Sequence, residues 1–104
     1  MNIQEIKQKV SDNRHHIIQF LRDICAIPSM EGQLKAVGER IGAEMTKLGF
    51  DEVRFDQMGN IVGRIGSGKR VIVYDSHIDT VGVGDPALWS WDPFKGKVEN
   101  GILF

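Results

Sequence analysis

The chain has 104 residues, with 13 Lys and Arg against 14 Asp and Glu and a formal net charge of −1, a composition ordinary for a globular protein. Charge so near balance offers no basic excess for nucleic acid or an anionic membrane, and the length fits one domain able to bury a core. Cys25 is the single cysteine; this excludes an internal disulfide or a cysteine metal cluster, suits a reducing compartment, and leaves Cys25 expected as a small buried hydrophobe.

The opening MNIQEIKQKV mixes charges among its apolar residues, so it reads neither as a secretory signal nor as a membrane span, and the expected location is cytoplasmic. From Asn2 to about Cys25, Ile3, Ile6, Val10, Ile17, Leu21 and Ile24 recur at helical spacing and stripe one face of a single amphipathic helix. Asn2 and Glu5 make a capping pair at its start, and Pro28 removes a backbone donor where it ends. His15 and His16 fall on or beside the polar face with Asp12 and Arg14 and read as solvated surface.

A second helix follows from Leu34, Val37, Ile41, Met45 and Leu48. Ser29 is its candidate cap, and Gly49 supplies the left-handed turn that stops it. Gly38 and Gly42, four residues apart, leave a strip where another element packs closely. The period then changes to alternation around Val53 and Phe55, a turn falls at Gln57 to Asn60, and alternation returns to Ile65, predicting two strands joined by a tight turn. Gly66 to Lys69 make another turn. Val71, Ile72, Val73 and Tyr74 form a continuous apolar run, the pattern of a strand covered on both faces.

After Thr80 a loop rich in Gly, Pro and Trp runs to Pro93, long enough to suggest function; Trp89, Trp91 and Phe94 either line a substrate site or plug the loop onto the core. Lys95 to Phe104 read as a hairpin turning at Asn100-Gly101, its second strand stopping on three apolar residues as a truncated domain would. The expected class is α/β, two helices followed by a mixed β-sheet.

The chemistry concentrates where the apolar run meets Asp75, Ser76, His77, Ile78, Asp79 and Thr80. Sites in open α/β sheets are built at that end of a strand. In extended chain His77, Asp79 and Asp75 share a side, and an imidazole beside a carboxylate suits a metal ligand whose second nitrogen is held. A His-x-Asp triplet is equally a strand end with ordinary hydrogen bonds. A catalytic zinc takes three protein ligands, and no second histidine or glutamate pair here has matching spacing.

The segment VIVYDSHIDTVGVGD with WSWDPFKGKVENGILF, preceded by FLRDICAIPSMEGQ and FDQMGNIVGRIGSG, resembles the zinc metallopeptidase and deacylase family that includes acetylornithine deacetylase, succinyl-diaminopimelate desuccinylase and carboxypeptidase G. Within it, MGNIVGRIG and SHIDTVGVGD are most similar to the selenium-metabolism hydrolases. The resemblance spans nearly the whole chain and implies that residues 1–104 are an amino-terminal portion of the catalytic domain. It makes His77 the first zinc ligand and Asp79 the active-site aspartate that holds its ring, and gives Asp75 and Ser76 no family role. The implied activity is hydrolysis of an amide or peptide bond in a small acylated amino acid or peptide, by water activated between two zinc ions with a glutamate as base; manganese and cobalt also suit the ligand type. The bridging aspartate, the glutamate pair and the dimerisation domain of the family's homodimers have no counterpart here, so the chain by itself is expected to be inactive. The alternative is a small non-catalytic module that binds a partner through Trp89 and Trp91 and keeps His-x-Asp as a relic.

Overall fold

The computed structural model describes every residue from Met1 to Phe104. In chain order its elements are α1 (Ile3–Asp12), α2 (Arg14–Cys25), α3 (Lys35–Lys47), β1 (Glu52–Phe55), β2 (Ile61–Arg64), a 3-10 turn (Pro86–Leu88), β3 (Val98–Glu99) and β4 (Ile102–Leu103). The class is α/β, as expected, and the strands pair as antiparallel hairpins, β1 with β2 and β3 with β4. Two units emerge, Met1–Ala26 with Val83–Phe104, and Ile27–Gly82. No helix is long and apolar enough to cross a membrane.

The helix expected over Asn2–Cys25 is two helices. It starts as predicted: Asn2 Oδ1 accepts from the Glu5 amide at 3.0 Å while Glu5 Oε2 accepts from the Asn2 amide at 3.1 Å, so two orphan donors of the first turn are satisfied. The interruption falls at Asn13, whose Nδ2 donates to the Lys9 carbonyl at 2.8 Å. A short amide side chain that bonds the backbone competes with the helical ladder, which an apolar stripe running through the position does not reveal. Cys25 is exposed rather than buried; it shares a helix face with Leu21, four residues back, and that face is itself uncovered.

In the same unit, residues 83–104 are held largely by their own side chains. Asp85 caps the 3-10 turn through the Ala87 amide, Trp89 Nε1 donates to the Val83 carbonyl at 2.8 Å, and Trp91 stands edge-on to both Trp89 and Phe104. These contacts use the tryptophans to anchor the loop. Arg22 of α2 donates from Nε to the Lys95 carbonyl at 2.9 Å. The predicted hairpin turns at Asn100 and Gly101, with φ of 51° and 78°, the pair of positive values a two-residue turn between twisted strands requires.

The Ile27–Gly82 unit is α3 laid on the β1–β2 hairpin. Val37, Gly38 and Gly42 are the buried residues of α3, and the Phe55 ring lies against both glycines: an added Cβ would touch its Cε1 at 3.4 Å at Gly38 and its Cζ at 3.4 Å at Gly42, ordinary contacts. The small-residue strip is thus a packing surface. Gly49 ends α3 at φ 80°, its amide donating to the Thr46 carbonyl and that of Phe50 to Met45, the paired bonds of a Schellman stop. Ser29, expected to cap this helix, does not; Leu34 occupies the cap position without a side-chain bond.

Asp56 organises the turn between the strands. Its carboxylate accepts from the Met58 and Asn60 amides, each at 2.9 Å, and from Asn60 Nδ2 at 2.8 Å. The Asn60 side chain first, and the Asn60 amide next, hold the Asp56 carboxyl below its ordinary range. A carboxyl depressed on folding contributes stability that is fully present above the unfolded value of about 3.9 and is lost as pH falls through the folded value. The turn is expected to loosen below about pH 4, seen as faster exchange of the Asn60 amide and side-chain NH₂, with Asp56→Asn removing that pH dependence. Protection of these groups, measured against the intrinsic exchange rate at each pH, that stays unchanged down to pH 2 would refute it.

The main departure from expectation is the run Val71–Tyr74, predicted as a strand with both faces covered. It is not a strand, and these four residues are 79, 78, 81 and 92 % exposed. The physical reason is partnership: β1 and β2 pair with each other, and no other segment lies alongside the run to supply ladder bonds.

Candidate functional site

His77 and Asp79 follow the exposed apolar run, in the stretch the residue pattern singled out. These residues belong to no helix or strand. His77 Nδ1 lies 3.1 Å from Asp79 Oδ1 and 3.2 Å from the Asp79 carbonyl oxygen. Both are acceptors, so Nδ1 carries the proton and Nε2 presents its lone pair outward. The side chains are 83 and 61 % exposed, leaving the ring's free edge open to solvent. Asp75, on the same side in an idealised strand, is not among the ring's hydrogen-bond partners.

One ring nitrogen is thus free while the other is held by an acidic oxygen that fixes the tautomer, an arrangement compatible with a histidine that binds a metal through its free nitrogen. The donor chemistry therefore fits zinc at one position. No group of three or more His, Cys, Asp or Glu side chains is assembled to hold a metal ion. Arg70 and Lys69, before the run, are not joined to the pair by any hydrogen bond or ion pair. His15 and His16 on α2 are exposed, their rings T-shaped to one another with centroids 6.1 Å apart.

Thr80, next to the pair, is bonded to Ser29 twice. Its amide donates to the Ser29 carbonyl at 3.0 Å, and the two hydroxyl oxygens lie 2.9 Å apart. Ser29 is fully buried. The residue pattern alone does not find this link, since the partners are 51 positions apart; the one signal for it was a hydroxyl residue placed directly after Pro28.

Comparison with known proteins gives a consistent neighbourhood. The chain is 47 % identical over 98 residues to the Escherichia coli K12 protein named "Uncharacterized protein YgeY", covering 94 % of this chain and 24 % of that protein. It is 31 % identical over 103 residues to the succinyl-diaminopimelate desuccinylase of Methylocella silvestris, covering 91 % of this chain and 26 % of the relative. The desuccinylase of Afipia carboxidovorans is 34 % identical over 94 residues, with 84 and 24 % covered. Over most of its own length the chain is thus similar in sequence to proteins named succinyl-diaminopimelate desuccinylase. It spans about a quarter of the length of these curated relatives. No family model matches it, and no solved structure does.

Proposed function

We propose that this chain is the portion of a metal-dependent amide hydrolase that carries one zinc-ligand histidine, His77, with Asp79 as its orienting carboxylate. The observation that carries the reading is the 3.1 Å contact from His77 Nδ1 to Asp79 Oδ1, in a chain related over most of its length to proteins named for removal of a succinyl group. The substrate class is an N-acylated amino acid or a peptide. The segments MGNIVGRIG and SHIDTVGVGD favour a finer placement among the selenium-metabolism hydrolases; the opening MNIQEIKQKV favours a cytoplasmic location, and the family resemblance a homodimeric full-length protein.

In this reading His77 Nε2 is the atom that would hold the metal. Zinc, when bound, supplies Lewis acidity toward a carbonyl oxygen and acidifies water. Asp79 accepts a hydrogen bond from Nδ1–H, keeps the ring in the tautomer that leaves Nε2 free, and holds its direction. Manganese or cobalt suit the same nitrogen.

One ligand binds a divalent ion poorly. The chain by itself is expected to show no amide hydrolysis, and zinc titrated into labelled protein should perturb His77 within about tenfold of the concentration that perturbs His15 and His16. Its ring should respond at Nε2, with Asp79 shifting in parallel. Zinc-stimulated hydrolysis by the 104-residue protein would sink the single-ligand reading. A response at His15 and His16 with none at His77 would sink the ligand assignment.

A further inference from the structure

We infer that Ser29 is a positioning residue for the His77–Asp79 pair, acting through Thr80. The inference rests on the reading of His77 as ligand and Asp79 as its orienting carboxylate, and adds what holds that pair in place.

The exposed pair has little else to hold it. Both side chains stand mostly in solvent, so the direction of the His77 ring depends on the backbone that carries it. That backbone is preceded by the unpaired run Val71–Tyr74. Across residues 67–82, the only hydrogen bonds that reach a distant part of the chain are the two between Thr80 and Ser29. The tie therefore sits one residue after Asp79 and three after His77. A weaker brace lies beside it: an added Cβ on Gly82 would lie 3.4 Å from Met30 Sδ, so residues 80–82 run along residues 29–30.

Ser29 is suited to this work by its surroundings. Pro28 removes the donor that would continue α2 and fixes the backbone angle just before it. On the other side, the Gln33 amide donates to the Met30 carbonyl at 2.9 Å, closing a turn over Gly32. Held between these, and fully buried, the Ser29 hydroxyl has one partner, Thr80. A buried hydroxyl is costly without a partner, so the bond locks both ends: Thr80 satisfies Ser29, and Ser29 fixes Thr80.

The test uses the 104-residue protein and nuclear magnetic resonance, without metal. In Ser29→Ala, the side-chain couplings of His77 and Asp79 should move from single-rotamer values toward rotational averages. Exchange protection of the Thr80 amide should fall roughly tenfold. Contacts from the Phe55 ring to Gly38 and Gly42 report on packing of the same unit and should not change. Thr80→Val, at an exposed and near-isosteric position, should reproduce the loss even if Ser29→Ala folds poorly, and Thr80→Ser, which keeps the hydroxyl, should restore it. Wild-type couplings at His77 and Asp79 in both Ser29→Ala and Thr80→Val would overturn the inference. A separate zinc titration distinguishes it from the function: averaged couplings in the variants together with a wild-type His77 blind to zinc would support the positioning role while removing the ligand role.

Discussion

Gly63→Ala is expected to destabilise the Ile27–Gly82 unit by about 1–3 kcal/mol, the usual cost of forcing an extra methyl into filled space. Gly63 sits in β2 opposite Val53 of β1, and a Cβ there would lie 2.7 Å from both Met45 Sδ and Phe50 Cδ1. The Met45 thioether has the freedom to swing aside. Phe50 has less, because it follows directly on the Gly49 stop and its own amide is committed to Met45. The contrast is Gly42→Ala, where the new methyl meets Phe55 Cζ at 3.4 Å, an ordinary contact, and alanine gains about 1 kcal/mol of helix propensity over glycine. Denaturant titration of the two variants should move the midpoint in opposite directions at constant slope. A wild-type midpoint for Gly63→Ala would mean that the Phe50 and Met45 side chains are not packed as described.

The second large effect concerns self-association. Val71–Tyr74 joins three β-branched residues and an aromatic one, exposed and unpaired, and such a run is a template for pairing with another strand. Lys69, Arg70 and Asp75 flank it as charged gatekeepers, but none stands inside it. Ile72→Lys should raise the concentration at which the protein stays monomeric by several-fold to tenfold, about the effect of one charge within an aggregating strand. Sedimentation velocity across a concentration series reads this directly. If Ile72→Lys associates as readily as the wild type while Ile102→Lys does not, the liability lies in the β3–β4 hairpin instead.

What was legible in the sequence was what neighbours along the chain decide. Asn2 with Glu5, Gly49 at the end of α3, the Gln57–Asn60 turn and the Asn100-Gly101 hairpin all formed as read, because each depends on side chains within a few residues of one another. The packing strip of Gly38 and Gly42 was legible one step further, since spacing of four on a helix defines a face, although that Phe55 fills it was not. The break at Asn13 was not, because a side chain bonding its own backbone leaves the apolar stripe intact. Val71–Tyr74 failed for a different reason: composition reports that a segment would suit a covered strand, while pairing belongs to whichever segment lies beside it. His77 and Asp79 stood out by their spacing of two at the end of an apolar run, but that pattern fits a plain strand end equally well, and the roles assigned to them came from the family resemblance. Ser29 was misread as a helix cap because the partner its hydroxyl selects lies in another part of the chain.

The tie from Ser29 to Thr80 joins residues near the two ends of the Ile27–Gly82 unit. That unit is continuous in sequence, whereas the other is assembled from Met1–Ala26 and Val83–Phe104. During synthesis the continuous unit has all its residues in hand before the second half of the other has been made, so it is able to fold first. Closing its ends then shortens the loop that separates α2 from the 83–104 segment, and the entropy of bringing those distant stretches together is largely spent before they meet. A hydroxyl pair beside a histidine thereby also lowers the entropic cost of joining the two stretches of the other unit.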